Sequence, residues 1–297
     1  MDWRNENVMV SGGCGSIGSA LARRIVSRKP KKLILLDNNE SDLFMLVEEL
    51  RGAIPIIASI RDKDRIEEVF RRYRPTCVFH AAALKHLVMA EKFPVEAIKT
   101  NILGTINLIE ASLCYGVKKF VGISTDKAAD PTSVMGLSKK IAERLCTLLD
   151  GRVGPTRFIS VRFGNVLASR GSVVATWKRQ LEEGKSLTVT DKRMKRFTLG
   201  IHEAAELVLA AASLGKGGET FTFDMGSQVS IEELARLMIK LSGKDLDINY
   251  TGAGAGEKYE ETLYDPKERE TLKKTTHKRI YEIKKEKQWS GPIPSTR

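Results

Sequence analysis

A chain of 297 residues, 42% hydrophobic and 29% charged, is too apolar for a disordered protein and long enough for one large α/β domain with a smaller second lobe. Its net charge of +12 is explained by a phosphorylated small-molecule partner as well as by nucleic acid, and Lys and Arg are dispersed among acidic residues, which argues against nucleic acid. No apolar run approaches the roughly 18 to 20 residues that span a bilayer. The charged start of the chain lacks the apolar stretch of a signal peptide, and Cys14, Cys77, Cys114 and Cys146 have neither paired nor metal-ligand spacing, so a cytoplasmic protein with no membrane span and no metal is expected.

In chain order, β-rich apolar runs at residues 8–11, 33–37, 54–58, 77–82, 120–124 and 158–162 alternate with helix-period positions such as Ile17, Leu21 and Ile25, then Ile66, Val69, Phe70 and Tyr73. Strand and helix alternating in this way predict right-handed βαβ units, hence an α/β fold built on a doubly wound parallel sheet of Rossmann type. Residues 1–164 are expected to form that core. Residues 165–297 are expected to form mainly a smaller C-terminal substrate-binding lobe, with some segments returning to the core. Irregular stretches at 164–173 and 187–198 lead to a helix at 202–214, a strand at 220–224 and a helix at 231–241. The last presents Ile231, Leu234, Ala235 and Met238 on one face, and Ser230 with Glu233 predicts a capping box. The mixed-charge segment 267–287 is expected to be a solvated terminal helix.

The turn after the first strand, Ser11-Gly12-Gly13-Cys14-Gly15-Ser16-Ile17-Gly18, opens the first helix with Gly12, Gly15 and Gly18 in G-x-x-G-x-x-G spacing. Small residues there let backbone approach a pyrophosphate at the helix N-terminus. Asp37 ends the second strand about 20 residues after the last glycine, where a carboxylate receives the hydroxyls of an adenosine ribose. That carboxylate repels a ribose 2′-phosphate, and Asn38, Asn39 and Glu40 offer no guanidinium, so NAD is favoured over NADP.

Residues 124–140 carry the chemistry: Ser-Thr-Asp-Lys-Ala-Ala-Asp-Pro-Thr-Ser-Val-Met-Gly-Leu-Ser-Lys-Lys. The segment resembles the active-site segment of short-chain dehydrogenases, in which a Tyr stands four residues before a Lys and exchanges a hydroxyl proton during hydride transfer. Here that position is Met135, ahead of Lys139. A thioether has no proton to exchange, so acid–base work falls on other groups, with Asp126 and Lys127 the candidates.

With His80-Ala81-Ala82-Ala83-Leu84-Lys85-His86, Lys99-Thr100-Asn101, Arg162-Phe163-Gly164-Asn165-Val166, Ser169-Arg170-Gly171-Ser172-Val173 and Gly256-Glu257-Lys258 in that order, the chain resembles extended short-chain dehydrogenase/reductases. More narrowly, it is similar to the nucleotide-sugar 4,6-dehydratases of polysaccharide biosynthesis, the group that includes UDP-N-acetylglucosamine 4,6-dehydratases. The resemblance implies a tightly bound NAD that takes up and gives back hydride within one turnover: hydride leaves sugar C4, water is lost across C5 and C6, and hydride returns at C6. It implies Asp126 as the acid that protonates the departing C6 hydroxyl and Lys127 as the base at C5, Ser124 or Thr125 on the C4 oxygen, and Lys139 on the nicotinamide ribose. Ser16, Ile17, Ser59, Ile60, Ala81, Ala82, Ala83 and Asn101 would join Gly12, Gly15, Gly18 and Asp37 around the cofactor. Lys85, Asn165, Arg170, Ser172, Arg196 and Glu257 would face a UDP-sugar, and a homo-oligomer is expected.

Three departures from the family pattern stand out. Ser59 replaces a frequent Asp near the adenine, Gly254-Ala255 replaces an Arg-Pro before Gly-Glu-Lys, and Met135 matches a subgroup that retains configuration at C5. A nucleotide-sugar 4-epimerase on the same scaffold needs no acid–base pair for C5 and C6, and a non-catalytic dinucleotide-binding regulator needs neither. The Asp126-Lys127 pair favours the dehydratase over both.

Overall fold

The computed structural model describes residues 2–151 and 154–283. Six parallel strands, β1 (Asn7–Ser11), β2 (Lys32–Asp37), β3 (Ile54–Ile57), β4 (Cys77–His80), β5 (Lys119–Thr125) and β6 (Arg157–Phe163), lie in the order β3-β2-β1-β4-β5-β6. The strand Thr220–Phe223 continues the sheet parallel to β6, and Ile280–Ile283 and Leu272–Lys274 close that edge antiparallel. The strands read as apolar runs because both faces are covered. Val8 and Val10 of β1 point toward helices α1 (Ser16–Val26) and α2 (Glu40–Glu49), whereas Met9 points toward α3 (Lys63–Tyr73). Short helices α4 (Leu87–Lys92) and α5 (Pro94–Ala97) lead through a π-helical turn, Ile98–Leu103, into α6 (Gly104–Cys114), and α7 (Val134–Leu149) follows β5.

Local chemistry sets the helix ends. Asn39, Asp62 and Ser133 each accept a backbone N–H of the first turn of α2, α3 and α7, satisfying donors that have no partner within the helix. Ser172 does the same for α8 (Val173–Glu182), and α9 (Ile201–Leu214) and α10 (Ile231–Ser242) follow. Ser230 caps α10 by accepting from the Glu233 N–H, but the reciprocal bond from the Glu233 side chain is not formed, so half of the expected capping box is present.

Residues after 164 divide between two places. α9 packs against α1 in the main core. α8 and α10 enclose a second core of Trp177, Leu187, Val189, Met194, Ile231 and Ala235, in which the Trp177 indole donates to the Thr188 carbonyl at 2.7 Å. The expected terminal helix over 267–287 is corrected: a short helix, Pro266–Glu270, with a true capping box between Asp265 and Glu268, gives way to the two edge strands, and residues 284–287 lie outside the described residues. Charged side chains at 273, 274 and 282 suit a sheet edge as well as a helix face, because charge there blocks pairing with another chain.

An ion cluster ties this C-terminal segment to the sheet. Arg162 of β6, fully buried, donates to both oxygens of Glu143 at 2.9 and 2.6 Å, to both oxygens of Glu268 at 2.6 and 3.1 Å, and to the Leu263 carbonyl at 3.0 Å. Lys140 adds a contact to Glu268 at 3.1 Å.

A second buried polar group joins β1, β4 and α6. His80 bonds Ser11 Oγ through Nδ1 at 2.8 Å and Thr105 Oγ1 through Nε2 at 2.9 Å, and burial, with Lys139 nearby, pushes its pKa down to about 3. The neutral ring is therefore the folded form, and stability is lost as pH falls from the ordinary histidine value toward 3. Between pH 7 and pH 5 the wild type is expected to lose about 2 kcal/mol more than His80→Asn, since each pKa unit crossed is worth about 1.4 kcal/mol. Urea titrations of both proteins at the two pH values measure the difference.

Candidate active site

The C-terminal ends of β1, β4 and β5 face α8, α10 and residues 163–174 across a cleft of about 760 Å³. At one end lies the glycine turn. Gly12 has φ +68°, and a Cβ on it would stand 2.5 Å from the Ala82 nitrogen, so the turn seats directly on backbone from β4. Gly15, Ser16, Ile17 and Gly18 line the cleft, as do Ala81 and Ala83. Asp37 stands behind them: its Oδ2 accepts from Cys14 N at 2.9 Å and its Oδ1 from Asn39 N at 3.0 Å, fastening the turn to the end of β2. Burial and Asp37 together push the Cys14 thiol up to about 12, which makes it inert.

Other residues expected at the cofactor make contacts within the protein. Ser59 Oγ accepts from Arg61 N, while Ile60 packs against Gly104 and gives its carbonyl to Asn107. Asn101, 1% exposed on the π-helical turn, exchanges two bonds with the Leu84 backbone at 2.8 and 2.9 Å and donates to Ser138 Oγ at 2.9 Å. It pins the segment after β4 against α7.

The reactive groups gather where β5 ends. Asp126, its side chain wholly buried, accepts from Thr125 Oγ1 at 2.8 Å and from Lys127 Nζ at 3.0 Å, both on Oδ1. Its Oδ2 is buried and has no hydrogen-bond partner among the described residues, and neither has Ser124 Oγ. Lys127 lines the cleft, and its ammonium also lies 3.3 Å from Asn165 Oδ1 and 3.4 Å from Glu261 Oε1. Burial pulls the Lys127 pKa down, but Asp126 and Glu261 outweigh it and the net direction is up. Glu261 is 3% exposed, and its pKa is raised by burial despite the opposing pull of Lys127.

Lys139, whose pKa burial lowers to about 8, reaches from α7 to the Ile123 carbonyl at 3.0 Å. Met135, one turn earlier, is 3% exposed and packs with Ala90 and Ala97 at the cleft wall.

On the far wall, Arg196 is buried rather than solvated. Its Nη1 donates to the carbonyls of Lys195 and Tyr259 at 2.8 and 3.1 Å, and it lines the cleft. Ser172 and Glu257 also line the cleft, the Glu257 carboxylate accepting from Gly254 N at 2.9 Å. Arg170 lines the cleft as well, and it has a second tie: its backbone N–H donates to Ser16 Oγ at 2.9 Å and its guanidinium pairs with Asp42 of α2, so it straps the glycine turn. Lys85 secures that strap by donating to the Arg170 carbonyl at 2.6 Å.

Two features escape sequence reasoning. Glu261 is one acidic residue among several at 257–261, far from Lys127 in the chain, and the Gly256-Glu257-Lys258 motif points to its neighbour instead. The Asp42–Arg170 pair links two charged residues with no local pattern to connect them.

A parallel sheet wound on both faces, with a glycine turn at its first crossover and a lysine one turn into the helix after β5, defines a Rossmann protein of the short-chain dehydrogenase/reductase kind. Comparison with known proteins narrows this: the chain belongs to the polysaccharide biosynthesis protein family, whose sequence pattern matches residues 8–285. It is 45% identical to the capsular polysaccharide biosynthesis protein CapD of Staphylococcus aureus over 87% of this chain. That match covers 45% of CapD, so the chain spans about half the length of that relative. It is 35% identical to the UDP-N-acetylglucosamine 4,6-dehydratase (inverting) of Campylobacter jejuni, over 88% of this chain and 78% of that protein. Among solved structures, Pen from Bacillus thuringiensis superimposes with a TM-score of 0.89 at 36% identity, covering 95% of this chain and 89% of that one. The Thermus thermophilus UDP-glucose 4-epimerase, solved with NAD, gives 0.79 at 25% identity over 88% and 90% of the two chains.

Close packing behind Asp126 is itself testable. A Cβ on Gly164 would stand 2.7 Å from Phe197 Cβ and 3.1 Å from Asp126 Oδ2, so Gly164→Ala must move one of them. It is expected to cost about 1 to 3 kcal/mol, as overpacking does. At Gly200, where the nearest atoms are 4.0 Å away, alanine should cost less; urea midpoints of the two variants give the comparison.

Proposed function

We propose that the protein is an NAD-dependent nucleotide-sugar 4,6-dehydratase acting on UDP-N-acetylglucosamine. The observation that carries this reading is the Asp126–Lys127 pair, hydrogen-bonded at 3.0 Å with Lys127 lining the cleft and Asp126 buried beside it, in a site whose usual Tyr position holds Met135. A dehydratase needs an acid and a base beyond the hydride-transfer machinery, and a simple epimerase does not.

The residues present fit NAD. The glycine turn keeps its backbone bare at the N-terminus of α1, where a pyrophosphate is favoured. Each Asp37 oxygen accepts one backbone N–H and retains a lone pair for a ribose hydroxyl. The chemistry that NAD supplies when bound is removal of hydride from sugar C4 and its return at C6. Lys139 would hold the nicotinamide ribose, and Ser124, whose hydroxyl is without a partner among the described residues, would meet the sugar C4 oxygen in preference to Thr125, whose proton is given to Asp126.

Proton bookkeeping then constrains the elimination. A Lys127 ammonium donating to an Asp126 carboxylate across the 3.0 Å contact is the pair that exists after the C5 proton has been taken and the C6 oxygen has left as water. To begin, one proton passes along that hydrogen bond from Lys127 Nζ to Asp126 Oδ1. A neutral amine then stands ready for the C5 proton and a carboxyl group for the C6 hydroxyl. As hydride returns to C6 the Lys127 ammonium gives a proton back to C5, and the proton shed by the C4 hydroxyl on oxidation makes up that loss through solvent in the cleft. Arg196 and the N-terminus of α8, capped by Ser172, face the nucleotide diphosphate.

Incubation with UDP-N-acetylglucosamine and NAD should yield a product lighter by one water in the mass spectrum. A product of unchanged mass with inverted C4 would replace this reading with the epimerase. Asp126→Asn and Lys127→Ala are each expected to lower turnover by about 10² to 10⁴, and near-wild-type rates in both at equal cofactor occupancy would remove the mechanism.

Cofactor choice gives a second test. NAD is expected to bind more tightly than NADP, and Asp37→Ala to narrow the gap by removing repulsion of the 2′-phosphate. Calorimetry on both proteins decides it, and a wild-type preference for NADP would refute the assignment.

A further inference from the structure

Lys127 is held from two sides. Asp126 precedes it in the chain, but Glu261 comes from the far lobe, and its Oε1 stands 3.4 Å from the ammonium. Glu261 is 3% exposed, which is unusual for a carboxylate, and its backbone is fixed by a single neighbour: the Gln228 side chain donates to the Glu261 carbonyl at 3.1 Å and accepts from its N–H at 3.3 Å. The groups that face this carboxylate are the Lys127 ammonium, the Asp126 carboxylate and the Arg196 guanidinium. Two cations and two carboxylates thus share one largely buried volume. A carboxylate is costly to bury and is retained only where a partner answers it.

We propose that Glu261 is the positioning residue of the acid–base pair, its carboxylate holding the Lys127 amine between itself and Asp126. The proposal rests on the dehydratase reading for its catalytic meaning, while its electrostatic content stands alone. With Glu261 ionised, the Lys127 ammonium sits among the Asp126 and Glu261 carboxylates and the uncharged Asn165 Oδ1, and the amine is presented at a fixed distance from both carboxylates. The negative charge also favours the ammonium, so Glu261 governs the pH at which the amine becomes available. Removing that charge while keeping the shape, as in Glu261→Gln, makes neutral Lys127 more abundant at any given pH. Glu261→Asp keeps the charge and should keep the wild-type behaviour.

The experiment reads the amine directly. The full-length protein is treated at pH 8 with trace acetic anhydride, and acetylation of Lys127 is measured by peptide mass spectrometry relative to Lys185, whose side chain is 69% exposed. An opposite charge within hydrogen-bonding reach shifts a pKa by one unit or more, so Glu261→Gln is expected to acetylate at Lys127 about tenfold faster than wild type, and Glu261→Asp within about twofold of it. Gln228→Ala, which frees the Glu261 backbone and removes no charge, should move the rate in the same direction by less. That variant decides the matter if Glu261→Gln does not fold.

Equal Lys127 rates in wild type and in the folded Gln variant, or in Gln228→Ala where only that variant folds, would overturn the proposal. In the turnover assay, the falling limb of the pH profile, where the Asp126–Lys127 pair loses its shared proton, should shift to lower pH in Glu261→Gln, whereas a purely structural role would lower the height of the profile without moving it. If the wild type releases no water from the UDP-sugar while the acetylation rate still responds to residue 261, the dehydratase reading falls and the assignment of Glu261 stands.

Discussion

The buried Arg162 guanidinium is the constraint around which the rest of the molecule is arranged. Set in β6 with no exposed surface, it cannot lose its proton, and its desolvation must be answered by Glu143 from α7 and Glu268 from the segment after the second lobe. Those two contacts fix α7 against the sheet and bring the chain back from the far lobe. α7 carries Met135 and Lys139, so the same cluster sets the cleft wall on which a nicotinamide ribose would rest. Glu261, its own backbone held by Gln228, stands two residues before Leu263, whose carbonyl Arg162 binds, so the far-lobe carboxylate at Lys127 is indexed to the same cation.

The active cleft repeats this logic at smaller scale. Lys127 and Arg196 meet Asp126 and Glu261 in a largely buried volume, where each charge is worth more to its neighbour than on the surface. Two cations against two carboxylates balance as a whole, which is why the cluster can be buried. Asp126 Oδ2 and Ser124 Oγ are buried without partners among the described residues, and Ser124 lines the cleft, where its hydrogen bonding can be completed. By contrast His80, equally buried, has both ring nitrogens satisfied and serves the fold.

Legibility in the sequence follows the reach of local chemistry. Parallel strands covered on both faces must be apolar throughout, so all six core strands are visible, as are the helices with Ile17, Leu21 and Ile25 or Ile66, Val69 and Phe70 on one face. The glycine turn and the Asp126-Lys127 pair are visible because their members are adjacent in the chain. What escapes is long-range. Arg170 reads as a phosphate ligand because guanidinium groups often are, yet its partner Asp42 lies on α2, and no periodicity joins the two. Glu261 is hidden among acidic neighbours for the same reason. The C-terminal edge strands read as a helix because charges at 273, 274 and 282 satisfy a solvated helix and a guarded sheet edge alike.

Arg162 also sets an order of events during synthesis. β6 is complete at Phe163, and Glu143 has by then emerged, but Glu268 is encoded 106 residues after Arg162. At translation rates of roughly 5 to 20 residues per second, the arginine waits some 5 to 20 s for its second carboxylate. During that interval a nearly finished Rossmann sheet carries a half-answered cation at its growing edge, where Thr220–Phe223 and then Ile280–Ile283 are still to be added. The nascent N-terminal half therefore carries an incompletely paired arginine until Glu268 is available, and the closing of the sheet edge and the pairing of that cation fall in the same stretch of chain.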